Sequence, residues 1–347
     1  MKTLAEFNTF VDQQLDVQLQ QLEDQRKAGQ GWVRRMRILG VVPVIIFFAF
    51  LMWVVIPRQE NNTGNNMSVM WMLAAGIVVT LGLSFALRRY MAKQKGMLEM
   101  VDYKQDFKNK VIQPIIRFID PAYTYQPLNH ASYEEFTESG LFSRQEYNIT
   151  GNDQVFGKTG DLNFQWCDLK VTHMPTITLR GLGADVIFEG TYFMAQFPRY
   201  FNTPVYIVPR STMMAKLTSV TQTDTDYIET WNLGKKITTS DTAFNKLFMA
   251  YAQDTEEAQQ LLTAPLLEKI VRLQARSQAP VFISFYNNRI CIGISHGEDY
   301  FEAGLQDSLT DRRMLTNFYM DFTSLLEIVD DLRQNGGIWT SIAFSRS

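Results

Sequence analysis

Two stretches of the chain run for 19 residues each without a charge, at 38–56 ("ILGVVPVIIFFAFLMWVVI") and at 69–87 ("VMWMLAAGIVVTLGLSFAL"). In a helix such a run covers ~28 Å, close to the ~30 Å hydrocarbon core of a bilayer. The pattern predicts two transmembrane helices joined by a short external loop over 57–68. A cleavable leader would carry a shorter apolar region near the N-terminus and a small-residue cleavage site. Here the first run starts only after residue 37 and ends in Trp53 and Pro57. Arg26, Lys27, Arg34, Arg35 and Arg37 precede the first run, and Arg88, Arg89, Lys93 and Lys95 follow the second. The connecting loop holds only Arg58 and Glu60. Basic flanks resist translocation, so both termini are expected on the cytoplasmic side of an inner membrane. Pro43 is tolerable inside a span, and Ala74, Ala75, Gly76, Gly82 and Ser84 allow close helix approach. With no charge inside either run, the hairpin reads as a tether and not as an ion path.

Outside these runs the period changes. Leu4, Phe7, Val11, Leu15, Leu19 and Leu22 fall at helical spacing, which predicts an amphipathic helix within 1–30 that Gly29 and Gly31 end. Its apolar stripe either packs on the chain's own soluble domain or mediates self-association. A second helical pattern, Met97, Met100, Val101, Phe107, Val111, Ile115 and Phe118, predicts a juxtamembrane helix within 88–121, kinked at Pro114 and stopped at Asp120-Pro121.

Residues 122–347 read as a cytosolic α+β domain with antiparallel sheet and flanking helices. Ser132 and Glu135 have capping-box spacing at the start of a short helix. "QVFGKTGDLNFQWCDLKVTH" reads as two strands about Thr159-Gly160-Asp161, and "DVIFEGTYFMAQF" and "PVYIVPR" as two more. "AFNKLFMAYA" fits strand or helix. Asp254 is the expected N-cap of "DTEEAQQLLTAPLLEKIVRLQAR", with Pro265 opening a second set of turns. "PVFISFYNNRICIGIS" is a hairpin about Asn287-Asn288. A closing helix runs from about Leu309 to Leu332, and a polar loop is expected over 218–226.

Composition narrows the chemistry. The formal net charge of −3 gives no support to nucleic-acid binding, which needs a basic face. Two distant cysteines, Cys167 and Cys291, make no disulfide framework and suit a reducing compartment. Nucleotide loops are absent: "GKTG" at 157–160 lacks the upstream glycine of a phosphate-binding loop and reads as a β-turn, and "RGLGAD" at 180–185 as a turn before a strand. The catalytic candidates that remain are Cys167, Asp168 and His173. Alternation puts Cys167 and His173 on one strand face but ~20 Å apart, so a zinc site or Cys–His pair there needs a fold-back. The acidic pairs Asp224/Asp226, Glu256-Glu257 and Asp330-Asp331 lack calcium-loop spacing, and the last two read as solvated helix faces. No metal and no cofactor is expected.

From about Tyr103 onward the chain resembles a bacterial membrane-protein family known by a domain of unknown function, number 3137. The segments that carry the likeness are "YKQDFKNKVIQPIIRFIDP", "FTESGLF", "VFGKTG", "IFEGTYFMAQF", "LLTAPLLEKIVRL", "ISFYNNRICIGI" and "FEAGL". The resemblance implies an inner-membrane protein with a cytosolic α+β domain, and it supplies no catalytic residues. The expected function is a membrane-tethered interaction or scaffold protein. Its partners are the lipid bilayer and either a protein or a second copy, bound through the N-terminal helix or the cytosolic domain. The alternatives are an inner-leaflet enzyme and a small-ligand sensor that controls assembly.

Overall fold

A computed structural model describes residues 2–50, 52, 66–92, 103–142, 147–173, 176–178, 181–183, 186–210, 233–297, 301–304 and 308–334. The chain divides into two units, one comprising Met1–Gln14, Ile112–Glu302 and Arg312–Ser347, the other Leu15–Val111 and Ala303–Asp311.

The first unit is built on a nine-stranded antiparallel sheet. In chain order its strands are β1 (Thr124–Gln126), β2 (Tyr147–Thr159), β3 (Leu162–His173), β6 (Val186–Gln196), β7 (Val205–Pro209), β8 (Lys235–Ile237), β9 (Phe248–Ala252), β10 (Val281–Tyr286) and β11 (Arg289–Ile294). Two three-residue strands, β4 (Thr176–Thr178) and β5 (Gly181–Gly183), pair separately. The spatial order is β1-β2-β3-β6-β11-β10-β7-β9-β8. Both expected hairpin turns form. Gly160 takes φ +60° between β2 and β3, and Asn287 takes φ +53° between β10 and β11, the left-handed conformation that Gly and Asn tolerate best.

Period-two alternation sorts the side chains onto two faces. On one, Trp166 stacks on Phe322 with ring centres 4.5 Å apart and also meets Phe318 and Phe301. Phe318 and Phe322 belong to the long helix α9 (Arg313–Gln334), which packs beside α8 (Ala264–Ser277). On the other face Cys167, Phe188, Tyr192, Phe282 and Cys291 join a core closed by Phe136 and Phe142. Phe136 lies on α5 (Tyr133–Thr137), whose capping box between Ser132 and Glu135 forms as expected. Asp254 caps α7 (Thr255–Leu261), Pro265 lies in the first turn of α8, and "AFNKLFMAYA" is both helix and strand, α6 (Thr242–Leu247) running straight into β9. The closing helix starts four residues later than the periodicity suggests, at Arg313.

The N-terminal helix resolves into pieces. α1 (Leu4–Phe10) begins at a Thr3–Glu6 capping box and belongs to the first unit, where Phe7 stacks on Tyr319 at 4.2 Å and Phe10 on Phe118 at 4.3 Å. A π-helical turn, Val11–Leu15, follows, and then α2 (Asp16–Phe50). Phe7, Val11, Leu15, Leu19 and Leu22 are all buried within the chain. The expected end at Gly29 and Gly31 is overturned: α2 continues through both. Each glycine costs a helix only ~1 kcal/mol, and the residues on either side of them are helix formers. α4 (Gln113–Ile119), preceded by a π-helical turn Lys108–Ile112, stops at Asp120 as expected.

In the second unit α2 packs along α3 (Asn66–Ala92). Among the described residues no helix is long and apolar enough to cross a membrane, so the two spans expected over 38–56 and 69–87 are not shown. These helices nonetheless turn large apolar side chains outward. Ile45, Ile46 and Phe48 on α2, and Trp71, Val78, Val79, Leu81 and Phe85 on α3, are all more than half exposed. Lower on α2, Glu23 and Arg26 form a buried bidentate ion pair at 2.7 and 2.8 Å. Glu23 also accepts a hydrogen bond from the Leu309 N–H at 3.0 Å. The loop over 57–68 lies outside the described residues except for its last three positions, which begin α3, and the loop over 218–226 lies wholly outside them.

Candidate functional site

Cys167 and Asp168, two of the three residues singled out for catalysis, lie on opposite faces of β3. Cys167 is fully buried in the α5-side core, opposite Tyr192 on β6. Its neighbour Asp168 points to the other face, where it accepts hydrogen bonds from Thr191 Oγ1 at 3.2 Å and from the Phe301 N–H at 3.1 Å. Those bonds pin the 301–302 segment beside Trp166, which is a structural task. His173 ends β3, six positions along from Cys167 and beyond a register shift at Val171/Thr172. Burial pushes the Cys167 thiol well above its ordinary value and the Cys291 thiol up to about 11, so neither is a ready thiolate. The two cysteines lie two strands apart, roughly 10 Å, too far for a disulfide. His296 is half-buried, and desolvation holds its imidazole down to about 4. Among the described residues no group of three His, Cys, Asp or Glu side chains is placed to hold a metal.

A concave site does exist in the first unit, where sequence reasoning did not look. A cavity of about 360 Å³ opens where the β2–β3 turn, the end of α4, the start of the chain and α9 meet. Tyr319, Thr323, Leu326 and Asp330 line it at helical spacing along α9. Ile119 and Asp120 enter at the end of α4, Tyr123 from just before β1, Lys158 and Thr159 from the end of β2, and Gly160 from the turn. "GKTG" is not a nucleotide loop and only its last residue is in the turn: Gly157, Lys158 and Thr159 end β2, and three of its four residues line the wall. Asp330, expected as part of a solvated helix face, instead accepts a hydrogen bond from Thr159 Oγ1 at 3.2 Å and lies 3.5 Å from Arg333. The Arg333 guanidinium lies against Gly160, where a Cβ would collide with it.

The wall carries both signs of charge. Lys2 is committed: its ammonium donates to the Phe118 carbonyl and sits 4.0 Å from the Phe118 ring centre. Tyr319 OH donates to the Lys2 carbonyl at 2.5 Å, which ties the start of the chain to α9. Lys158 is exposed and has no ion-pair or hydrogen-bond partner among the described residues. Asp120 accepts only from the Ala122 N–H, at 2.8 Å, through Oδ1. Between the acids sits Tyr123, edge-on to Phe164 and Phe322. Burial, then the nearby charges of Asp120 and Asp330, push its phenol up to about 12. Only the short motif at 157–160 gave any signal of this site, because its walls come from four separate segments.

The fold and this site define an α+β domain with a polar cavity. Residues 186–334 match the family model described as "Protein of unknown function (DUF3137)", which bears out the resemblance over that range. No curated protein matches the chain. A solved structure, that of the mycobacterial trehalose monomycolate transport factor A, TtfA, is similar over 65% of this chain and 93% of that one. Its identity is 8% and its TM-score 0.31, a likeness too loose to carry more.

Proposed function

We propose that this chain is a membrane-tethered scaffold: α2 and α3 insert into an inner-membrane bilayer, and the α+β unit works on the cytoplasmic side as an interaction domain. The observation that carries the reading is the row of outward apolar side chains on these two helices. Water is a costly environment for such a row, since burying each Val, Leu, Ile or Phe contributes ~1.5–3 kcal/mol. Acyl chains are the fitting occupant, because both charge-free runs match a bilayer in length and are bounded by arginine and lysine on the same side. The first run also continues in sequence past the end of α2, to Ile56. The scaffold role is supported by the placement of Cys167 and Asp168 on opposite faces of β3, each in a structural setting.

The test is fractionation of the full chain in its own membranes. Retention after alkaline carbonate washing and solubilisation only by detergent are expected, with reporters fused at both termini reading cytoplasmic. Release by carbonate alone, or an external C-terminus, defeats the reading. Mass determination of the detergent-extracted particle then tests the scaffold role, a defined oligomer or stoichiometric complex being expected and a bare monomer counting against it.

A further inference from the structure

We infer that the cavity between the β2–β3 turn and α9 is a binding site for a small zwitterion, a molecule carrying a primary ammonium and an anionic group. The inference goes beyond the tether and does not depend on it. Lys158 and Asp120 line the same cavity with opposite charges, yet they form no ion pair with each other within 4.0 Å, and neither is neutralised by another side chain among the described residues. Two unpaired opposite charges held apart on one wall are complementary to a ligand whose own charges are separated. A simple anion would meet Asp120 and Asp330; a simple cation would meet Lys158. A divalent metal would find only these two carboxylates, from different elements, beside a lysine.

The rest of the wall suits the same ligand. Tyr123 presents a phenol that stays protonated, a donor beside Asp120 and Asp330. Thr159 and Thr323 add hydroxyls, although each already donates once, to Asp330 and to the Met320 carbonyl. A volume of about 360 Å³ is at the small end of ligand pockets, which run ~300–1,000 Å³. The ligand's ammonium pairs with Asp120 and its anionic group with Lys158. That chemistry has two sources, a free amino acid or a phosphoethanolamine headgroup.

The full chain in detergent is titrated by thermal unfolding with each α-amino acid, with O-phosphoethanolamine, and with the single-charge halves methylammonium, acetate and inorganic phosphate. At least one zwitterion should raise the midpoint by about 5 °C near saturation, because binding to the folded state alone shifts unfolding by mass action. A response to an amino acid identifies a free metabolite, and one to phosphoethanolamine a headgroup; either supports the site. Lys158→Met and Asp120→Asn should each weaken the response tenfold or more. The first alters an exposed side chain, and the second keeps the acceptor for the Ala122 N–H, so both leave the unliganded midpoint near the parent value. The inference is overturned if no zwitterion shifts the midpoint, if the single-charge halves act equally well, or if both variants respond like the parent.

Discussion

The two tryptophans Trp166 and Trp71 mark what separates the two units. Trp166 has no exposed surface and stacks against three aromatic rings, whereas Trp71, on α3, is 72% exposed. In the first unit most large apolar side chains are covered by the protein's own sheet and helices, and polar groups buried among them, such as Asp168 and Ser284, are hydrogen-bonded. On α2 and α3 the large residues face outward, and the buried side chains lower on α2 include an ion pair. The first unit therefore covers its large apolar residues with its own core, while the apolar faces of α2 and α3 are the surfaces that the proposed tether assigns to acyl chains. Where an apolar residue points, and not how many there are, distinguishes the two.

This comparison breaks most directly at the tryptophans. Trp166→Ala should destabilise the chain by ~3–5 kcal/mol in denaturant titration, while Trp71→Ala should change it by no more than ~0.5 kcal/mol and instead reduce membrane retention. Comparable losses from both would mean that Trp71 is packed by protein. Next in size is Glu23→Ala, which strips the buried Arg26 guanidinium of its carboxylate and should cost ~3–5 kcal/mol by the same measurement.

The pH dependence sharpens this point. The Arg26 guanidinium first, then hydrogen bonds from the Leu309 N–H and Ser308, hold Glu23 down from 4.5 to about 2. A folded value below the unfolded one gives stability that is fully present above 4.5 and is lost as pH falls through about 2. The variant should lose stability less steeply than the parent across that window, and equal slopes would remove Glu23 from the account. A smaller effect is expected from Ser132→Ala, about 1 kcal/mol, for the α5 cap. The smallest is Tyr103→Phe. The Tyr103 hydroxyl is buried without a hydrogen-bond partner among the described residues, so its removal should be neutral or stabilising by less than ~1 kcal/mol.

Local signals were legible wherever local physics decides the outcome. The Ser132–Glu135 box, the Asp254 cap and the turns at Gly160 and Asn287 each depend on residues within four positions of one another. Gly29 and Gly31 misled because a propensity cost of ~1 kcal/mol is easily outweighed by helix on either side. The sheet order was out of reach, since β6 pairs with β11 and β7 with β9 and β10 across long stretches of intervening chain. The same holds for the cavity. Lys2, Asp120, Lys158 and Asp330 share a wall only after the fold has formed, and no spacing in the sequence relates them.

The sheet order also sets a timetable. β7 waits for β10, β6 waits for β11, and Phe7 waits for Tyr319 on the last described helix. At ~5–20 residues per second of synthesis the early strands spend seconds with open edges. Such non-local pairing makes folding slow and exposes those edges to aggregation. α1 locks only once α9 has left the ribosome, so a nascent chain stalled before residue 313 should remain open to protease and to chaperones, however complete its sheet.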